Sequence, residues 1–514
     1  MKKFLSLALA ICSAATVLLS PGCFTNKPSN QSNNQGNTTN AEATTGKYSW
    51  YLAPVIEADD INVLRSNNSA DTHFSHCIDK VSMIKKDGLQ GLITYNGALV
   101  ADIEYTDIHN DYFVTDYSLS KTNGNDEFLS PHLNGQIATT NVLVDGDVQD
   151  GYYTDFVYYN VDTDELLMQG WHDEQLAPAS VRGLFAALPT NNALIQQAKD
   201  ENLSAFEFYD LCYDKSFSFC VIKDNVKVSD AIYDNCLVTA SGMLVTNQDG
   251  NWGYIDRTGK QTLECNYDSG WEIAPDTELS HSPYVPSEGY IVIYKNGQPS
   301  LIKENGETVI PFGEFSELRP VYKGMLWAKH NGKWGVLTLN KGGKATVDLA
   351  YNDLFEYGFQ NTAFRPDRGE FYKKYLDMNA DGTDELLICS FEEDGRATWD
   401  IYGYVNGVTC FVGGGDNVFN AVTKAVVIDN QCVYVSWEGV TIAANGSSGE
   451  DYYIFDGSIV NIYEKDSYGK YTCHKMEPTG TRRDITEEEY LAATFKFNPE
   501  KGIKLEPSIM ARGR

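Results

Sequence analysis

One stretch of this chain has the residue types and spacing of a cation-binding loop: Asp377-Met378-Asn379-Ala380-Asp381-Gly382-Thr383-Asp384-Glu385. Side-chain oxygens at its first, third and fifth positions, a glycine at the sixth and a carboxylate at the ninth are what a short loop needs to wrap Ca2+. The twelfth position is Ile388, where an EF-hand requires a bidentate glutamate, and Leu386-Leu387-Ile388 reads as strand rather than helix. The same residues would also form a metal-free turn, because Asn and Asp side chains bond backbone N–H groups two residues on.

Other candidate chemistry is sparse. Of 11 cysteines, Cys12 and Cys23 fall in the N-terminal segment, leaving Cys77, Cys212, Cys220, Cys236, Cys265, Cys389, Cys410, Cys432 and Cys473. That number is odd and no Cys-x-x-Cys occurs, so neither a complete disulfide framework nor a zinc knuckle is written here. Cys220, Cys389 and Cys432 sit in apolar runs and read as small buried residues, with one or two disulfides as the alternative. His73-Phe74-Ser75-His76-Cys77 gathers soft metal ligands without a partner motif and reads as a polar turn. Ser118-Leu119-Ser120-Lys121 has the Ser-x-x-Lys pattern, but its Ser-Asp-Asn and Lys-Thr-Gly companions are missing. Gly413-Gly414-Gly415 lacks the spaced third glycine of a dinucleotide site, and Trp171-His172-Asp173-Glu174 reads as a strand end. No catalytic residue is assigned on this basis.

The elements that must carry any site are short strands. Asp249-Gly250-Asn251-Trp252-Gly253-Tyr254-Ile255-Asp256-Arg257-Thr258-Gly259-Lys260, continuing to Tyr267-Asp268, reads as strand, turn, strand, turn, strand. Trp252 is one large apolar body per unit, and Gly253 clears space where another backbone comes close. Such a unit buries its tryptophan only by stacking on copies of itself. Copies exist: Asn331-Gly332-Lys333-Trp334-Gly335-Val336-Leu337, then Asp87-Gly88-Leu89-Gln90-Gly91 with Asn96-Gly97, and a weaker one at Asn296-Gly297-Gln298-Pro299-Ser300 with Asn305-Gly306. The pattern resembles the WG-repeat (KWG) family, including the distal Tyr105-Thr106-Asp107 and Tyr267-Asp268. That resemblance implies a repeated β module on bacterial secreted or surface proteins, with Trp252, Gly253, Trp334 and Gly335 in the repeat core and no catalytic residues.

The Asp377 loop in turn looks like the calcium loops of integrin-type FG-GAP β repeats. By that resemblance Asp377, Asn379, Asp381 and Glu385 would donate side-chain oxygens and Thr383 its carbonyl.

The N-terminus carries an address. Lys2 and Lys3 precede an apolar run over residues 5–19, too short for a comfortable membrane span, so residues 1–22 read as a signal peptide. Its end, Leu19-Ser20-Pro21-Gly22-Cys23, looks like a bacterial lipobox with Cys23 acylated, although Ser20 stands where an aliphatic residue is usual; plain secretion is the alternative. Residues 25–47 are almost entirely Asn, Gln, Ser, Thr, Gly and Ala, which cannot bury enough to offset ordering entropy. They read as a tether with a reach of roughly 25–30 Å.

With 514 residues the chain exceeds one ordinary core. Its 71 acidic against 40 basic residues give a net charge of −31, which repels nucleic acid and anionic lipid and favours divalent cations. Solubility is the simpler reading of that charge. Short helices are expected at 193–198 and 205–211. Hairpins are expected at 155–171 and 216–233, where they read as drifted copies of the repeat, and around Asn406-Gly407 and Asp456-Gly457. Thr486 and Glu489 form a capping box for a terminal helix, stapled by Ile485 and Tyr490.

The sequence thus predicts an all-β fold. After the signal (1–23) and tether (24–47), repeated hairpins over 48–350 form a propeller, pseudo-barrel or short solenoid, and 351–514 form a second β domain with the calcium-type loop. The expected function is a non-catalytic, lipid-anchored surface module, on the outer face of the bacterial membrane, that binds a protein, peptide or cell-wall glycan, with Ca2+ as cofactor. A surface hydrolase of glycans or peptides with acids spread over loops is the alternative, and an accessory subunit of a surface machine the third.

Overall fold

The computed structural model describes residues 46–65, 76–77, 81–110, 117–120, 126–129, 151–154, 156–169, 175–178, 181–216, 218–230, 232–239, 241–268, 284, 286–340, 342–357, 371–378, 382–391, 397–415, 420–429, 431–439, 448–456, 459–475, 483–504 and 511–512. The expectations placed on residues 1–45, including Cys23, lie outside them, as do His73, residues 171–174, Asn379 and Asp381.

Strands β1 (Ser49–Ile56), β2 (Asp60–Asn62), β3 (Leu64–Arg65) and β4 (His76–Cys77) precede the first repeat, β5 (Val81–Lys86), β6 (Leu89–Thr94) and β7 (Leu99–Tyr105). Then come β8 (Asp107–Asn110), β9 (Tyr117–Ser120), β10 (Asp126–Leu129), β11 (Gly151–Thr154), β12 (Phe156–Asn160), β13 (Glu165–Gln169), β14 (Gln175–Pro178) and β15 (Leu184–Thr190). Helices α1 (Asn192–Glu201) and α2 (Ala205–Ser216) follow at the two expected places, then β16 (Cys220–Lys223) and β17 (Val226–Lys227). The second repeat is β18 (Asn235–Val238), β19 (Gly242–Thr246), β20 (Trp252–Asp256) and β21 (Gln261–Tyr267). The third is β22 (Tyr290–Lys295), β23 (Gln298–Lys303) and β24 (Thr308–Ile310), and the last is β25 (Glu317–Leu318), β26 (Met325–His330) and β27 (Lys333–Thr338). After α3 (Val347–Tyr357) run β28 (Phe371–Leu376), β29 (Glu385–Phe391), β30 (Ala397–Val405), β31 (Val408–Gly415), β32 (Asn420–Ile428), β33 (Cys432–Gly439) and β34 (Ser448–Asp456). The remainder is β35 (Ile459–Asp466), β36 (Tyr471–Lys475), β37 (Arg483–Ile485), α4 (Glu487–Thr494), β38 (Ile503–Lys504) and β39 (Ala511–Arg512).

The fold is all-β with short helices, and each repeat is its own antiparallel sheet: β2-β5-β6-β7, β18-β19-β20-β21, β22-β23-β24 and β1-β27-β26-β25. Asp87-Gly88, Asn296-Gly297, Asn331-Gly332 and Asn406-Gly407 have positive φ at both residues, as the tight hairpin turn requires. Asp249-Gly250 departs from the expected two-residue turn. Only Gly250 has positive φ there, and Thr246 pairs with Trp252 across a loop over 247–251. Asn247 explains the difference: its Oδ1 accepts from the N–H of Asp249 at 3.1 Å and of Asn251 at 2.9 Å, building an Asx turn.

Neighbouring repeats bury one another. Trp252, Tyr254 and Leu263 of the second pack on Ile291, Ile293 and Ile302 of the third. Val292, Leu301 and Ile310 of the third meet Leu318, Leu326 and Leu337 of the last. Trp327, Trp334 and Val336 of the last meet Ile84, Ile93 and Tyr95 of the first. The hairpins read at 155–171 and 216–233 both form. They belong, however, to the sheet β13-β12-β15-β16-β17, in which β12 and β15 pair in parallel, so they are not further copies of the repeat.

Beyond α3, two sheets pack face to face. Leu387, Cys389, Trp399 and Ile401 of the sheet β31-β30-β29-β28-β39 meet Val427, Val433, Val435 and Tyr453 of the sheet β37-β36-β35-β34-β33-β32-β38. Leu386, Ile388 and Tyr402 point the other way, onto Ala350, Tyr351 and Leu354 of α3 and Leu92, Val100 and Ala101 of the first repeat. Burial of β29 on both faces is why its sequence is a continuous apolar run. One apolar cluster therefore spans the boundary read at 350. Helix α4 carries the expected capping box, with Tyr490 buried beside Ile485.

Candidate functional site: the repeat edge and the Asp377 loop

The repeat signature is spent on packing. Trp252 is 8% exposed and Trp334 is fully buried. The two degenerate repeats fill the same place with Gln90, whose Oε1 accepts from the Ile108 N–H at 2.8 Å, and with buried Pro299. The next position meets the third strand of each sheet. A Cβ on Gly91 would stand 2.7 Å from the Ala101 carbonyl oxygen, on Gly253 2.6 Å from that of Leu263, and on Gly335 2.7 Å from that of Leu52. Where Ser300 replaces glycine, its hydroxyl donates to the equivalent Ile310 carbonyl at 2.7 Å. Glycine is needed here for close approach, not for its backbone freedom.

These contacts expose what the last repeat lacks. In the first repeat Gln90 pairs with Tyr105, Leu92 with Ala101 and Ile93 with Leu99. The second repeats that register with Trp252–Tyr267, Tyr254–Leu263 and Ile255–Gln261, and the third with Leu301–Ile310 and Ile302–Thr308. In the last repeat the partners are Trp334–Ile56, Val336–Leu52 and Leu337–Trp50. The bulges fall at the same steps. Strand β1, which opens the described chain with Trp50, is the third strand of the last repeat.

A buried arginine clasps this junction. Arg319 Nη2 donates to Asp60 Oδ1 at 2.7 Å, Nη1 to Glu317 Oε2 at 2.9 Å, and Nε to the Ile61 carbonyl at 2.8 Å. Its guanidinium lies 4.8 Å from the Trp334 ring centroid. Burial alone would lower the pKa of this guanidinium. Tyr284, Asp60, Tyr294 and Glu317 outweigh that and hold it well above its ordinary value, fully charged. Trp327 Nε1 adds a 3.0 Å bond to Ser82 Oγ of the first repeat. No sequence pattern marks Arg319, because Asp60 and Ile61, which it bonds across the junction, are distant in the chain.

The Asp377 loop joins β28 to β29 as a hairpin, with Leu376 opposite Glu385. Asp377 Oδ2 accepts from the Gly382 N–H at 3.1 Å, and Gly382 has φ +88, the sharp turn that the sixth position was read to supply. Glu385 is buried and accepts from the Met378 N–H at 2.5 Å, while the Met378 side chain sits in the core between the two sheets. Tyr351 of α3 donates to the Asp384 carbonyl at 3.0 Å and to the Tyr402 carbonyl at 3.2 Å. The loop is thus framed from below by its own backbone bonds. Among the described residues no group of three or more His, Cys, Asp and Glu converges. Thr383 and Asp377 are half-buried, and Asn379 and Asp381 lie outside the described residues.

Cys220, Cys389 and Cys432 are buried free thiols, as the sequence suggests. His76 and Cys77 form the short strand β4, and Ser118 and Ser120 lie in β9. Asp353 of α3, a buried carboxylate that no sequence motif marks, accepts from Thr94 Oγ1 at 2.5 Å and from Asn96 Nδ2 at 2.9 Å, pinning that helix to the first repeat.

A family model described as WG containing repeat matches residues 252–273 and 300–334. No curated protein matches the chain. The matched segments hold Trp252, Gly253 and Trp334, so the β repeat carried there is similar to that of the WG-containing repeat family.

Proposed function

We propose that this chain is a non-catalytic interaction module, exported and held at the outer face of a bacterial membrane by lipid on Cys23. Residues 25–47 act as its tether, and the repeat loops bind a surface protein, a peptide or a wall glycan. The observation that carries this reading is that Trp252, Trp334, Gly253 and Gly335 are buried in packing, which leaves the exposed turns as the outward part of each repeat. Ca2+ braces the second half of the chain through Asp377, Asn379, Asp381, Glu385 and the Thr383 carbonyl. The donor set is all oxygen, suited to a hard cation, and the Asp377–Gly382 bond already wraps the loop about its first position. The ion would supply cross-linking charge neutralisation; the chain's own residues hold the loop's frame.

The test is retention of the chain without its first 23 residues on isolated cell wall, a glycan panel and membrane-protein extract, each with calcium and with chelator. Selective retention is expected. Turnover of wall fragments or peptides would instead establish the hydrolase, and copurification with a fixed membrane assembly the accessory subunit. For the ion, Asp377→Ala with Asp381→Ala is expected to remove any calcium-dependent rise in Tm; an unchanged rise puts the ion elsewhere.

A further inference from the structure

The last repeat has a third strand of its own in sequence. Gly343-Lys344-Ala345-Thr346-Val347-Asp348-Leu349-Ala350-Tyr351-Asn352 matches Gly259-Lys260-Gln261-Thr262-Leu263-Glu264-Cys265-Asn266-Tyr267-Asp268, the turn and third strand of the second repeat. Gly, Lys, Thr and Tyr are identical, and Val for Leu, Asp for Glu and Asn for Asp are close substitutes. Yet this segment is not paired with β27. Residues from Val347 onward form α3, and β1 occupies the edge instead.

Two observations place the segment as displaced rather than unrelated. First, the Ala345 N–H donates to the Tyr51 carbonyl at 2.8 Å, so its start runs beside β1, one strand further out than the edge it matches. Second, α3 is a poor helix by composition: of VDLAYNDLFEY only Leu349, Ala350, Leu354 and Glu356 are strong helix formers, with β-branched, aromatic and Asx residues between them. It is held by its surroundings, with Thr346 Oγ1 accepting from the Leu349 N–H, and with Ala350, Tyr351 and Leu354 fully buried.

We propose that β1 and residues 344–352 are alternative third strands for β27, and that the chain exchanges them. With β1 in place, Tyr351 holds the Asp384 carbonyl of the Asp377 loop. With β1 withdrawn, residues 344–352 pair with β27 in the register of Tyr254–Leu263, and Tyr351 moves to the place of Tyr105 and Tyr267. The same tyrosine cannot serve both positions, so release of β1 frees the Asp377 loop. Whatever draws on the chain before Tyr48 acts on β1 first. The present arrangement is the major state because Leu52 and Ile56 seal the first repeat against the last, and exchange forfeits that burial as well as that of α3.

The experiment uses the full chain carrying Val336→Cys and Val347→Cys, the pair equivalent to Tyr254 and Leu263, with and without Leu52→Asp and Ile56→Asp to expel β1. Mild oxidation and peptide mass spectrometry report the link, and amide exchange reports residues 378–384. Expelling β1 is expected to speed the 336–347 link roughly tenfold and to raise exchange in the Asp377 loop together with it. No link in the expelled chain, while the β26–β27 amides stay protected, overturns the proposal, as does a link without any change in the loop. Should the aspartates unfold the chain, the cysteine pair alone traps the minor state over hours of oxidation, and absence of the linked peptide there overturns it equally.

Discussion

The second and last repeats share a signature, a register and a glycine contact, and differ in where their third strand comes from. In the second, β21 follows β20 through the turn at Gly259, whose geometry Asp256 Oδ1 fixes by accepting from the Thr258 and Lys260 N–H groups at 2.8 and 3.1 Å. In the last, the partner strand lies at the other end of the repeat region, Ser49 opposite Thr338. A repeat signature therefore dictates what its edge accepts without dictating which segment supplies it. Completing the last sheet with β1 ties the first and last repeats together, and local pairing by β21 leaves the second repeat dependent only on its neighbours.

The largest difference is expected at the tryptophans. Trp334, fully buried against Arg319 at the junction of first and last repeats, is expected to cost about 5 kcal/mol on change to alanine, and Trp252 about 3 kcal/mol. Denaturant unfolding of the two variants measures both; equal costs would dissolve the distinction, and a negligible cost at Trp252 would contradict its packing on the third repeat. Gly335→Ala and Gly253→Ala are each expected to cost about 1–3 kcal/mol by pushing on a carbonyl. They separate in hydrogen exchange: Gly335→Ala should loosen residues 49–56, some 280 residues away in sequence, and Gly253→Ala only residues 261–267.

The smallest effect near neutral pH is electrostatic and belongs to the second repeat's surroundings. Burial pushes the Cys220 and Cys265 thiols from 9.0 up to about 11, and burial with nearby Cys265 pushes Tyr233 up to about 12. Groups whose folded pKa is raised favour the unfolded state once they can ionise there. The thiols' contribution is complete below pH 9.0 and is lost as pH rises through about 11, and that of Tyr233 is complete below pH 10.0 and is lost as pH rises through about 12. Amide exchange in β18–β21 is expected to quicken across that window before exchange in β26–β27, and a uniform change across both sheets would contradict the assignment.

Much of this was legible in the residues and some was not, for physical reasons. Asx-Gly pairs revealed the hairpins because positive φ at both residues is a local demand, and Thr486 with Glu489 revealed the last helix because a capping box lies within four residues. Asp249-Gly250 departs in detail because Asn247, two residues before the dipeptide, captures two backbone N–H groups. The Arg319–Asp60 clasp and the place of β1 left no local trace, since those partners are brought together only by the stacking of sheets. Helix α3 was hidden for a related reason: its residues favour other conformations, and tertiary burial overrides them. At the Asp377 loop the spacing announced the Asp377–Gly382 turn, but not that Glu385 also bonds inward to Met378 or that Tyr351 supports the loop from α3.

The most direct test of the account is whether β1 closes the last repeat in solution. In an otherwise unaltered chain, Leu52→Cys and Val336→Cys occupy directly paired positions. Mild oxidation is expected to join them, recovered as one disulfide-linked peptide pair. Two thiols that stay free, in a protein whose β27 amides exchange as fast as an exposed edge, would contradict it.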